Sequence, residues 1–374
     1  MIDRADWDRI TAPLPQAWTL PPGAYTSAEI FALEKERLFQ ADWVCLAREE
    51  QLPLAGDYLC VDLLGQPLVL VRRKDGSIHG MSTVCLHRGM PVATGQGNAR
   101  HFSCPYHLWK YDLEGQLISA PMMEGVEDFV PAQCRLPEVA VEVWQGFVFV
   151  NLDTDAAPLT PELEGLTKIL ADYGLDRLVS AGVVDFDSPW NWKLLLENFM
   201  EAYHHIGPHI ATFQPNFPAR DARVIAADNH RWSVLHMPGL NADPDAALPD
   251  LPGLSGDQLK DLLAIVVSPG LIFAVNNHLA AWYQISLHNE RSMQLTIHLL
   301  LPPEVVGDES MAPVIEATLA GTRYIHEEDI PVNAGPWAGM NAPLTSAGRL
   351  SLHEKAIWHL NQWWAQKMNL FSDD

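Results

Sequence analysis

Four residues in the segment CLHRGMPVATGQGNARHFSCPYH, residues 85–107, have the types and spacing to hold a metal centre: Cys85, His87, Cys104 and His107. They form a Cys-x-His pair and a Cys-x-x-His pair. Short spacings let neighbouring side chains at a loop tip converge without strain, so two such loops can close on one centre. Two chemistries use two thiolates and two imidazoles. One is structural zinc, although zinc ribbons typically separate the ligands of each pair by two residues and Cys-x-His has only one. The other is a [2Fe–2S] cluster with thiolates on one iron and imidazoles on the other, an arrangement that raises the potential above that of an all-thiolate cluster. Cys45, Cys60 and Cys134 lie scattered and read as ordinary buried thiols.

A second constellation lies in SPWNWKLLLENFMEAYHHIGPHIATF, residues 188–213. A helix over 190–206 puts Glu197, Glu201 and His204 on one face by i,i+4 and i,i+3 steps. Gly207-Pro208 stops that helix, and His209 can fold back beside His204 so that both imidazoles meet one ion. The alternative is a solvated histidine pair, or one capping the helix end.

CLHRG and CPYHLWKYDLEGQL resemble the Rieske pattern: Cys-x-His-Arg-Gly, then Cys-Pro-Tyr-His, an aromatic residue, Tyr-Asp and Gly. Residues 188–213 resemble the catalytic signature of Rieske non-haem iron oxygenases, with Asn-Trp-Lys, Glu-Asn, an acid before Tyr-His, and a second His five positions on. The resemblance covers nearly the whole chain in order. It implies that Cys85 and Cys104 bind one cluster iron and His87 and His107 the other, with Leu108 departing from the usual Gly. It also implies a mononuclear Fe(2+) held by His204, His209 and a distant carboxylate, a donor set that leaves coordination positions open. YIHEEDIPVNAG, residues 324–335, offers Asp329 for that place, with Glu328 and then Glu327 as alternatives. His205 matches no ligand and reads as a supporting or packing residue. Glu201 matches the acid that bridges a ligand histidine to the cluster histidine, here His107, of an adjacent subunit. Glu there, in place of the commoner Asp, resembles the subset acting on quaternary ammonium compounds and the related dealkylating monooxygenases.

The elements that must position these residues follow from composition and periodicity. TSAEIFALEKERLFQ, residues 26–40, reads as an amphipathic helix capped by Thr26 or Ser27. Short β-rich runs with Gly, Pro and Asp-Gly punctuation fill roughly 43–152. A linker and a helix near 161–173 follow; helices are expected at 311–326 and 351–368, and strands at 223–238, 271–288 and 292–301. LLAIVVSPGLIFAV, residues 262–275, is interrupted by Ser-Pro-Gly and reads as two buried segments around a turn, too short to span a bilayer. With the resemblance, the expected fold is α+β: an all-β Rieske [2Fe–2S] domain at 43–152 inserted before a helix-grip-like catalytic domain at 153–374, with residues 1–42 packing on the latter.

The formal net charge of −23 argues against nucleic-acid binding, which relies on clustered Lys and Arg. MIDRADWDRI lacks the basic start and apolar run of a secretory signal, and scattered thiols suit a reducing, cytoplasmic setting. No GxGxxG turn follows a strand, so no flavin or nicotinamide site is expected in this chain. The resemblance therefore implies a separate ferredoxin or reductase as electron donor, dioxygen and a small molecule as substrates, and a head-to-tail homotrimer. The expected activity is hydroxylation or N-/O-dealkylation. The alternatives are ring cis-dihydroxylation and, further off, an electron-transfer or redox-sensing protein. Phe199, Phe213, Phe217, Trp232, Phe273, Trp282, Tyr283 and Trp337 are the aromatic candidates for the substrate pocket, with core packing the safer reading for each.

Overall fold

Runs such as QPLVLVR and FVFVN are rich in β-branched and aromatic side chains, which pack well in strands buried on both faces. In the computed structural model, which describes residues 2–242 and 246–371, both are central strands. The chain divides into two units: Phe39–Pro161, and the first 38 residues together with those from Glu162 onward. In the first unit a seven-stranded antiparallel sheet runs in the order Val44–Arg48, Phe147–Asn151, Glu138–Trp144, Ile78–Ser82, Gln66–Arg72, Asp57–Leu63, Gln96–Asn98. A three-stranded sheet, Phe102–Ser103, Lys110–Tyr111 and Leu117–Ser119, carries the second Cys-His loop.

The second unit is built on a seven-stranded antiparallel sheet in the order Val179–Ser188, Ser292–Leu301, Ala280–Asn289, Leu271–Val275, Leu262–Val267, Trp232–Met237, Arg223–Ala226. Strict alternation buries Met293, Leu295, Ile297 and Leu299 on one face. The Ala312–Met340 helix packs against Val179–Ser188 and against the Trp192–Phe199 helix, while Lys355–Met368 covers the other end of the sheet. This is the expected α+β, helix-on-sheet architecture.

Several element expectations need correction. The helix expected to end at 326 continues to Met340 through Pro331 and Pro336. Each proline removes an internal hydrogen bond and signals a stop, but packing along the sheet overrides it. The helix expected over 190–206 stops at Phe199, and Tyr203–Ile206 forms a separate 3-10 turn. The strands expected over 223–238 and 271–288 are each a hairpin of two, and Val179–Ser188 is a strand the periodicity missed. In the N-terminal segment Ser27 is the cap, accepting from the Ile30 amide, and the helix gives way to a π-turn at Lys35–Phe39.

A buried carboxylate joins three helices of this unit. Glu34 is fully buried and accepts from Lys193 Nζ at 2.6 Å, Trp192 Nε1 at 3.0 Å and Trp364 Nε1 at 2.7 Å. Breaking a buried ion pair leaves a charge with no solvent, so Glu34→Ala is expected to destabilise this unit by about 3–5 kcal/mol. Chemical denaturation followed by tryptophan fluorescence measures it; a loss below about 1 kcal/mol would remove Glu34 from this role.

Candidate metal centres

The two Cys-His loops are built alike. The Cys85 amide donates to Met90 O at 3.0 Å and the Gly89 amide to Cys85 O at 3.0 Å; the Cys104 amide donates to Trp109 O at 2.8 Å and the Leu108 amide to Cys104 O at 3.0 Å. The fourth residue after each cysteine takes the left-handed conformation, φ +73° at Gly89 and +58° at Leu108. Leu108 thus occupies a position that suits glycine, and its side chain is turned outward and exposed. We expect Leu108→Gly to stabilise this unit by about 1 kcal/mol, read as a higher midpoint for thermal loss of the cluster absorbance.

Both cysteines are buried free thiols, and Cys85 Sγ lies 3.3 Å from Tyr111 Oη. His87 and His107 turn their Nδ1 atoms toward each other at 3.1 Å. Two lone pairs at that distance repel unless a proton or a metal centre sits between them. His87 stacks on Trp109 and His107 on Tyr106, which fixes both ring planes. Two buried thiols and two facing imidazoles fit a mixed-ligand [2Fe–2S] cluster. Burial pushes the Cys45 and Cys60 thiols up to about 12 and about 11, as inert thiols would be.

In the second unit the Trp192–Phe199 helix begins at Asn191, whose side chain accepts from the Lys193 amide, and ends before the acid and the histidines. The expected shared face of Glu197, Glu201 and His204 is therefore not formed. Glu197 points instead at Tyr25, whose Oη donates to it at 2.7 Å, and burial pushes its carboxyl up to about 7. Glu201 accepts from the His204 amide at 2.9 Å and meets His204 Nδ1 at 2.6 Å. His209 folds back past Gly207-Pro208, so that its ring lies 5.0 Å from that of His204.

The long helix supplies the carboxylates. Asp329 Oδ1 is 2.9 Å from His209 Nε2 and 3.6 Å from His204 Nε2. One ligand atom from each of His204, His209 and Asp329 lies within 4.8 Å of the others. Glu328 takes the opposite edge of His209: its Oε2 is 2.8 Å from Nδ1 and accepts from Thr212 Oγ1 at 2.8 Å. Burial opposes protonation of His209, but Asp329 and Glu328 outweigh it and raise its pKa. Two imidazoles offering Nε2 beside one carboxylate fit an open 2-His-1-carboxylate iron site, with each Nδ1 held by a further acid. His205 stays outside; its Nδ1 meets Phe217 O at 3.1 Å, and burial pushes it down to about 4.

A cavity of about 360 Å³ opens on His204, His209 and Asp329. Phe199, Phe213, Phe217 and Tyr283 line it, whereas Trp232, Phe273, Trp282 and Trp337 do not. Trp282 stacks on His298, and Trp232 Nε1 donates to Glu162 O. The helix adds Thr318, Thr322, Ile325 and His326, which share Asp329's face through steps of three and four. That spacing would have found them had the helix been carried past 326.

Glu328→Ala is expected to weaken iron retention about 10–100-fold in a chelator competition, and Asp329→Ala to abolish it. The reverse ranking would make Glu328 the ligand.

Residues 42–130 match the profile of the Rieske [2Fe-2S] domain, and residues 175–370 that of the ring hydroxylating alpha subunit (catalytic domain). The carnitine monooxygenase oxygenase subunit of Escherichia coli is 36% identical over 192 residues, 50% of this chain and 51% of that one. The glycine betaine monooxygenase oxygenase subunit of Chromohalobacter salexigens is 35% identical over 192 residues, 51% of this chain and 43% of that one. The biphenyl 2,3-dioxygenase subunit alpha of Rhodococcus jostii is 36% identical over 200 residues, 50% and 42% of the two chains. The chain thus spans about half the length of the curated relatives it matches. A solved quaternary ammonium Rieske monooxygenase has the same fold, with a TM-score of 0.84 at 23% identity, covering 98% of this chain and 100% of that one. With both profiles in their places, the chain belongs to the ring-hydroxylating alpha subunit family, whose members carry a Rieske [2Fe–2S] cluster and a mononuclear iron.

Proposed function

We propose that this chain is the terminal oxygenase of a multicomponent Rieske system and hydroxylates or N-/O-dealkylates a small organic molecule. The observation that carries the reading is the convergence of His204, His209 and Asp329 on one point at the wall of a mainly apolar cavity, with Glu201 on the back of His204. Glu at that bridging position, and the carnitine and glycine betaine monooxygenases among the relatives, support monooxygenation. In this reading Cys85, His87, Cys104 and His107 hold the cluster, and His204, His209 and Asp329 hold the iron. When bound, these groups relay single electrons and activate dioxygen.

The chain's own residues do the positioning. Glu201 and Glu328 each accept from an Nδ1–H, which fixes both tautomers and leaves each Nε2 lone pair facing Asp329. The cavity excludes bulk water and holds the substrate carbon beside that point. Hydroxylating a carbon bonded to N or O, with one oxygen atom of dioxygen inserted and the other leaving as water, consumes two electrons and two protons. The adduct then breaks into an aldehyde and an amine or alcohol.

The electrons come from a separate ferredoxin or reductase, and the working assembly is a head-to-tail homotrimer in the cytoplasm. A solved relative is described by inter-subunit electron transfer, and no helix of the described residues is long and apolar enough to cross a membrane. A second reading, ring cis-dihydroxylation, has the biphenyl dioxygenase relative in its favour. With a surrogate ferredoxin and reductase, formaldehyde release from N- or O-methyl compounds supports dealkylation, and arene diols without formaldehyde support the second reading. Iron analysis should give about three irons per chain; about two would leave only an electron carrier. Glu201→Ala, loaded to its full iron content, is expected to lose substrate-coupled oxygen uptake. Retained coupled uptake would remove Glu201 from the electron path.

A further inference from the structure

A second cavity, of about 310 Å³, adjoins the one at His204 and His209 within the same unit. Phe217, Asn276 and Thr318 line both, so these three side chains form the wall between them. One face of the long helix runs past both cavities: Asp329, Ile325, Thr322, Thr318 and Val314 follow in steps of three and four. Thr318 precedes Asp329 by eleven residues, about 16 Å at the helical rise. The dividing wall therefore stands about one small-molecule length from the metal position.

The two cavities differ in chemistry. Leu235, Met237 and Leu262 make much of the inner wall aliphatic. The Thr318 and Thr322 hydroxyls donate to Val314 O and Thr318 O at 2.8 and 3.0 Å, which leaves neither a hydrogen for a ligand. The outer cavity is lined by Asn216, Asn277, His278 and Lys260. Among the described residues Lys260 is the only lysine or arginine on either wall. Its partner Asp257, at 3.0 Å, has a side chain 83% exposed, and an exposed pair of this kind is weak enough to open for a ligand. Asp250 lines neither cavity; it accepts from Asn277 Nδ2 at 2.7 Å and faces His278.

Asn276 stands in the dividing wall with one end committed. Its Oδ1 accepts from the His278 amide at 2.9 Å and the Leu279 amide at 3.0 Å. Its Nδ2 has no partner among the described residues, so two donor hydrogens remain at the passage. A carboxylate leaving an apolar chamber needs donors and a cation, and meets both in that order here.

We propose that the outer cavity is a subsite for the carboxylate end of an elongated substrate, with Asn276 and Lys260 as its recognition residues. The reactive end lies at the metal position and an apolar middle fills the inner cavity. This rests on the oxygenase reading above and adds to it a substrate length and a terminal anion.

Equilibrium binding to the iron-loaded enzyme without dioxygen, followed by tryptophan fluorescence, tests it. The probes are ω-phenylhexanoate, the matching alcohol ω-phenylhexanol, and the short acid phenylacetate. The long acid is expected to bind about tenfold tighter than either of the others. Asn276→Asp keeps an oxygen for the two backbone amides but replaces the donor with a negative charge. That variant and Lys260→Met should each weaken the long acid about tenfold and leave the alcohol within about twofold. An alcohol that binds as tightly as the long acid, equal losses for acid and alcohol in both variants, or no saturable binding of the long acid would each overturn the proposal. Substrate-coupled oxygen uptake with the surrogate donors is scored separately. Acid preference without uptake counts against the oxygenase reading and leaves the subsite standing; uptake without acid preference does the reverse.

Discussion

A carboxylate with no access to water cannot remain ionised without donors, and Glu34 receives three from two other helices of its unit. The N-terminal helix, the Trp192–Phe199 helix and the C-terminal helix must therefore arrive together. With the start of Trp192–Phe199 fixed, its end is fixed too. Residues 200–209 leave that end as irregular backbone, which aims Glu201, His204 and His209 at one point where a continuous helix would have spread them. The cost of burying one charge thus sets the geometry of a site several turns away.

The two histidines share a design. Each offers Nε2 toward Asp329 and rests its Nδ1 on a glutamate, Glu201 for His204 and Glu328 for His209. Asn198 adds a donor to Asp329 at 3.3 Å. Acids that orient a ring nitrogen do different work from the acid beside the metal position, although all three lie within a few ångströms. Adjacency in sequence does not separate those roles, since Glu328 and Asp329 are consecutive.

That is where sequence reading reached its limit. The two like loops that carry Cys85, His87, Cys104 and His107 can be read from the sequence because their geometry is local, set by one or two intervening residues. His204 and His209 were legible for the same reason. Glu197 leaves the expected shared face because that face needs a helix through His204, whereas the helix ends at Phe199 and nothing in LLLENFMEAYHH marks that end. The aromatic lining is half legible: a strand shows which residues alternate but not which face meets the cavity, and for Trp232, Phe273 and Trp282 the core reading holds. His326 and the threonines before it escape because Pro331 and Pro336 imply a helix that ends short of Asp329, the residue whose face they share.

Consecutive residues of an α-helix point about 100° apart around its axis. Glu328 and Asp329 use that angle to hold opposite edges of one imidazole, like the two jaws of a spanner on a flat nut. A turn of the helix about its axis opens one jaw as it closes the other, so the ring can neither tilt nor slide on its own. The irregular segment that carries His209 thereby borrows its stiffness from a 29-residue rod on the other side of the site.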